Sequence, residues 1–181
     1  SYASTLNPTS VFRKSKPTDM ARVGQWKFEF PVSHVIYLKL PSPLKAGTTY
    51  QINFPDSQVQ PLSFKYEPNV TRSEAVQVSQ VGFAPSDSGK VAFLSTWMGN
   101  GGKVEYGAGK PFTVIDEKTN KTVFTGKTQL SRSSDEKEDP RRNHTLTNVY
   151  WMDFTPVRSP GQYRVCVENV GCSLSFQISP D

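Results

Sequence analysis

Residues 159–178, SPGQYRVCVENVGCSLSFQI, restrict the fold more than any other stretch of this chain. They read as a β-hairpin. Pro160-Gly161 marks a turn. After it Tyr163, Val165 and Val167 alternate with Gln162, Arg164 and Glu168, the period-2 pattern of a half-buried strand. Asn169-Val170-Gly171 supplies turn chemistry. Leu174, Phe176 and Ile178 then alternate with Ser173, Ser175 and Gln177 as a return strand. The two cysteines of the chain, Cys166 and Cys172, flank the turn. They could be free thiols, and no His or further Cys sits nearby to complete a zinc site. At the mouth of a hairpin they read as a disulfide, which implies secretion.

This reading contains a register conflict. Cys166 has the parity of the polar positions, whereas Cys172 has that of Leu174 and Phe176. Pairing the cysteines sets Val165 opposite Ser173. A bulge or irregular loop around Gly171 would remove the conflict.

The remaining chain repeats the pattern of short strands and turns. Strands are expected at 10–13, 22–30, 34–40, 48–54 and 61–66. The polar stretch 67–74 (EPNVTRSE) divides a first module, 1–67, from a second, 75–181, with 68–74 as linker. Strands at 75–83, 91–96, 111–116, 122–125 and 149–154 follow. Residues 99–103 (GNGGK) read as a flexible loop, and 127–148, which includes DEKED and PRR, as a solvated one. Fourteen prolines and twelve glycines fit many turns. Turn signals every 8–12 residues mean an all-β sandwich or barrel.

An internal repeat adds detail. Residues 34–54 read HVIYLKLPSPLKAGTTYQINF, and 148–167 read NVYWMDFTPVRSPGQYRVCV. Each holds an alternating strand (Ile36/Leu38/Leu40, or Tyr150/Met152/Phe154). A proline corner follows, then a glycine ahead of Tyr50 or Tyr163. That order suits a tyrosine corner, in which a Tyr hydroxyl bonds backbone a few residues upstream. It implies two tandem immunoglobulin-like β-sandwich modules. If the alternating residues face the cores, Tyr37 and Trp151 point outward, where an aromatic side chain packs under a loop or a neighbouring domain.

The second half resembles the N-terminal immunoglobulin-like domain that precedes the catalytic barrel of family 9 glycoside hydrolases of the cellulase type. Val78-Ser-Gln-Val-Gly-Phe83 with Pro85 carries the opening motif, with Ser79 where Asn is usual. Phe112-Thr-Val-Ile-Asp116 leading to Thr122-Val-Phe-Thr-Gly126 carries a hairpin. Asp153-Phe154, Pro160-Gly-Gln-Tyr-Arg-Val165 and Ser175-Phe-Gln-Ile178 carry the close. The likeness covers about 74–180, with 127–148 as a charged insertion. It implies an accessory domain and no enzyme, because the family's catalytic carboxylates lie on a helical barrel that would follow.

The residues give chemistry little support. Asp135, Glu136, Glu138 and Asp139 cluster in the charged loop, where nothing fixes the paired geometry of glycoside hydrolysis. His34 and His144 have no metal-ligand spacing, and no cofactor is expected. GNGGKVEYGAG lacks the Lys-Ser/Thr ending of a phosphate loop. The net charge of +5 and a pI of about 9.2 permit an anionic partner, but the Lys and Arg residues are dispersed, which argues against nucleic acid. No apolar run is long enough to span a membrane. Residue 1 is Ser with no signal peptide after it, so a mature or excised piece is expected.

Sugar binding needs exposed aromatic faces beside polar groups. Trp97, Tyr106, Trp26 and Trp151 are the candidates, Trp97 first. Asn69, Asn120 and Asn143 head glycosylation sequons, consistent with a secreted, extracellular or periplasmic chain. The expected role is a non-catalytic accessory region that supports or orients a downstream catalytic domain or partner protein. The alternative is a stand-alone module that binds a polysaccharide or a cell surface. An enzyme would need a pocket with paired carboxylates.

Overall fold

The computed structural model describes residues 6–56, 58–139 and 141–180. The C-terminal part is a two-sheet sandwich. One sheet has the order β10(Lys121–Lys127)-β9(Pro111–Asp116)-β13(Gly161–Val167)-β14(Gly171–Cys172), with β15(Phe176–Ile178) also on β13. The other has the order β11(Gln129–Arg132)-β12(Val149–Asp153)-β8(Val91–Leu94)-β7(Val76–Val78). Strand alternation builds the core between them. Val114 and Val165 face Leu94 and Met152, all fully buried. At one end Phe83, Phe154 and Phe176 pack together, with Phe83 edge-on to Phe154 at 5.4 Å and to Phe176 at 5.7 Å. Such geometry adds to what burial alone provides.

Beneath that end lies Lys90, with no exposed surface. Its ammonium donates to the carbonyls of Asp87 (2.9 Å), Pro85 (3.1 Å) and Thr155 (3.4 Å). Three carbonyl dipoles satisfy a charge that would otherwise be costly to bury, and they hold the 85–89 turn against the corner after β12.

The cysteines form the disulfide and sit directly opposite each other. Val165 does lie opposite Ser173: the Ser173 amide donates to the Val165 carbonyl (2.8 Å), and the Ser173 hydroxyl accepts from the Val165 amide (3.0 Å). Beyond it the pairing moves by one residue, so that Tyr163 meets Phe176. The irregularity therefore falls at 174–175 and not at Gly171. It turns Leu174 out to solvent, against the expected alternation, and buries Ser173 in its place.

The N-terminal part forms three separate two-stranded ribbons: β1(Ser10–Pro17) with β4(Val32–Lys39), β2(Ala21–Gly24) with β3(Lys27–Glu29), and β5(Thr49–Ile52) with β6(Leu62–Lys65). No described residue before Ala75 is buried. Ile36, Leu38 and Leu40, expected to face a core, are exposed because no second sheet covers them. The first strand extends beyond 13 to Pro17, paired with β4 throughout. The strand expected at 22–30 is a hairpin that turns at Gln25-Trp26, with Trp26 in the left-handed region at φ 58°. The strand expected at 75–83 ends at Val78.

Both tyrosine corners are present. The Tyr163 hydroxyl donates to the Ser159 carbonyl (2.9 Å), and the Tyr50 hydroxyl accepts from the Lys45 amide (2.8 Å).

Candidate functional site

The outer face of the four-stranded sheet presents the clearest surface feature. Alternation along β8 buries Ala92 and Leu94 and turns Phe93 outward; along β12 it buries Tyr150 and Met152 and turns Trp151 outward. Register then aligns four side chains, one per strand. Gln77 pairs with Phe93, Phe93 with Trp151, and Trp151 with Gln129. Strands lie about 4.8 Å apart, so the row forms a continuous line across the sheet. Phe93 and Trp151 are each 42% exposed. The Trp151 indole N–H donates to the Gln129 side-chain oxygen (3.1 Å), which fixes the rotation of the ring.

Next to this row runs a shallow groove of about 360 Å³, lined by Phe93, Ser95 and Trp97 of the sandwich, by Glu74, and by Lys14 of β1. Trp97 is 37% exposed. Lys14 and Glu74 pair at 3.1 Å, and the Tyr37 hydroxyl also donates to Glu74. Burial and the Glu74 hydrogen bond raise the Tyr37 pKa above its ordinary 10.0. Lys14 is raised above 10.5: its burial pulls downward but is outweighed by the bonds to Tyr37 and Glu74.

This cluster joins the two parts of the chain, and the glycine loop completes the joint. Gly99–Gly101 forms a 3-10 turn, not the flexible loop its composition suggests. A Cβ at Gly99, where φ is 67°, would overlap the Arg13 and Lys14 backbone; one at Gly101 would meet the Phe12 ring at 2.5 Å. The Arg13 amide donates to the Asn100 side chain (2.7 Å). Tyr37 therefore does point toward a neighbouring unit.

The structure brings Trp97 and Trp151 onto one surface with Phe93 between them. Trp26 stands apart on its hairpin, 82% exposed. Tyr106 packs against the sandwich core, its hydroxyl bonded to Thr96 (2.8 Å), and burial raises its pKa.

The 127–148 stretch is more ordered than its charge implies, since β11 lies within it. Asn143 donates to the carbonyls of Ser133 (3.2 Å) and Glu136 (2.7 Å) and accepts from Leu146. The acids serve this local fold. Glu136 faces Arg132 (3.6 Å), Glu138 accepts from the His144 amide, and Asp139 faces the His144 ring. His34 bonds Ser15. Asn69 and Asn120 are exposed. Among the described residues, no group of three or more His, Cys, Asp or Glu is placed to hold a metal ion, and no helix is long and apolar enough to cross a membrane.

Residues 71–172 match the family model of the cellulase N-terminal Ig-like domain, more than half of the chain. The chain belongs to that family. The match is to the Ig-like domain alone, and it covers the sandwich from β7 to β14, with the outer aromatic row. Similar solved structures include a metagenome-derived family 9 endoglucanase (22% identity, TM-score 0.45, covering 58% of this chain and 18% of that one). A family 9 glycoside hydrolase from Bacteroides ovatus is 22% identical (TM-score 0.41, 58% and 15%). An endoglucanase from Alicyclobacillus acidocaldarius is 21% identical (TM-score 0.41, 59% and 15%). The Ig-like chain thus spans less than a fifth of the length of these proteins. No curated protein matches it.

Gln77, Phe93 and Gln129 escaped the sequence reading. Phe93 had a signal, because it alternates with Ala92 and Leu94 in a strand whose neighbours face inward.

Proposed function

We propose that this chain is the non-catalytic accessory region of a secreted glucan-degrading protein of the family 9 type, and that it supports and orients a catalytic domain. The observation that carries this reading is the match of residues 71–172 to a domain defined by its place ahead of a cellulase. Two structural features support it. The joint at Gly99–Gly101 holds the β1/β4 ribbon against the sandwich in one seating, which suits an orienting element. The outer face of that ribbon also displays Val11, Leu38 and Ile36 side by side to solvent, with Val32 further along, beyond the polar Ser15–His34 pair. An exposed apolar cluster of this kind marks an interaction surface, and the catalytic domain is the occupant assigned to it. The disulfide supports passage through an oxidising compartment. Asn69 is accessible as a glycan acceptor in a eukaryotic host, whereas the Asn120 side-chain oxygen accepts from Arg164 (2.5 Å) and the Asn143 amide is held by two carbonyls.

The test is thermal unfolding and hydrolysis by a family 9 catalytic module, alone, mixed with this chain and fused to it. A raised melting temperature on fusion, lost in Ile36→Lys/Leu38→Lys, is the expected result. A module that melts and hydrolyses identically in all formats would refute the supporting role.

A further inference from the structure

We infer that the outer face of the four-stranded sheet is a binding surface for an uncharged, extended pyranose chain, stacked on Trp151 and Phe93. The chemistry of the row argues for this ligand. A pyranose offers an apolar C–H face to an aromatic ring and a rim of hydroxyls to hydrogen-bonding groups beside it. Here two aromatic side chains on adjacent strands are bracketed by two primary amides, Gln77 and Gln129, in one register line. An amide both donates and accepts, as a hydroxyl rim requires. The Gln129 oxygen is engaged by the Trp151 indole, which directs its NH₂ to donate; Gln77 donates to the Glu74 carbonyl (3.3 Å), and its oxygen is the acceptor. A β-linked chain is extended, and the register line gives it a continuous path across four strands.

Charge selects the class further. Lys14 at the groove is paired with Glu74, and Arg132 on β11 with Glu136. Asp153, two residues beyond Trp151 on the same face of β12, adds a carboxylate. The surface is therefore neutral to slightly negative and repels a polyuronate, although the whole chain is basic. The row sets the direction of the ligand, across the strands, and Trp97, further along the chain from Phe93 and beside the groove, widens the aromatic surface there.

The full chain is titrated with cellohexaose, chitohexaose and polygalacturonate, following heat and tryptophan fluorescence. Saturable binding of a neutral hexasaccharide, weaker by about tenfold or more in Trp151→Ala, is the expected outcome. Gln129→Ala loses less, and Trp26→Ala keeps wild-type affinity. Circular dichroism checks each fold, and Phe93→Gln, a change on the exposed face, serves if Trp151→Ala does not fold. The proposal fails if neither neutral sugar binds saturably, if the Trp151 and Phe93 variants bind like wild type, or if polygalacturonate binds equally well. It also fails if a family 9 catalytic module shields Trp151 from acrylamide quenching, because the face would then belong to a protein.

Discussion

The two copies of the repeat adopt the same local design with opposite burial. In each, a strand leads through a proline corner to a glycine and a tyrosine, and the tyrosine hydroxyl bonds backbone upstream. In the C-terminal copy, Tyr150, Met152 and Phe154 are buried; in the N-terminal copy, Ile36, Leu38 and Leu40 are exposed. The difference lies outside the motif. β12 is covered by an opposing five-stranded sheet, whereas β4 pairs only with β1 in a two-stranded ribbon. A corner motif thus specifies the path of the chain, and a facing layer decides what the alternation stabilises. An isolated ribbon is marginal by itself, which is why its seat on the glycine turn matters.

Matched substitutions test that contrast most sharply. Met152→Ala should cost about 2–5 kcal/mol, while the equivalent Leu38→Ala should stay within about 0.5 kcal/mol, both from urea unfolding. Equal losses would mean the N-terminal copy has a covered core. Next in size is the disulfide, which has no counterpart in the first copy. Replacing Cys166 and Cys172 by Ser removes a short closed loop and should cost about 2 kcal/mol, read as a lower melting temperature. Tyr163→Phe should lose about 1 kcal/mol, because its ring is buried and Gly161 is close to its hydroxyl. Tyr50→Phe, on a more exposed ring, should lose less.

The smallest effect concerns the joint. Tyr37 and Lys14 both have folded pKa values raised above their ordinary ones. Their contribution is therefore complete below about pH 10 and lost as pH rises through the folded values. The groups are partly exposed, so the total is below about 1 kcal/mol. The protection factor of the Arg13 amide, its exchange rate relative to the base-catalysed intrinsic rate at each pH, should fall above that pH while protection in β13 does not. A simultaneous loss of protection would show that the two parts unfold as one.

What the sequence made legible was local. The cysteine hairpin, both tyrosine corners and the outward Trp151 depend on parity and turn chemistry within a few residues. The exposure of Ile36 and Leu38 was hidden, because parity gives a face and not what covers it. Trp26 was read as part of a strand because a left-handed tryptophan carries no composition signal. β11 was masked by its charged neighbours, although Gln129 and Leu130 pair with Trp151 and Tyr150. The aromatic row required the register of four strands, and pairing partners are not encoded locally.

The cage around Lys90 has one more consequence. Three carbonyls converging on one positive centre resemble the site of a bound cation, but here the cation is tethered to the main chain. It cannot exchange with solvent or be drawn out by a chelator, and it arrives in strict stoichiometry with the protein. The contact that pins the 85–89 turn therefore draws its positive charge from the chain itself and not from a dissolved ion.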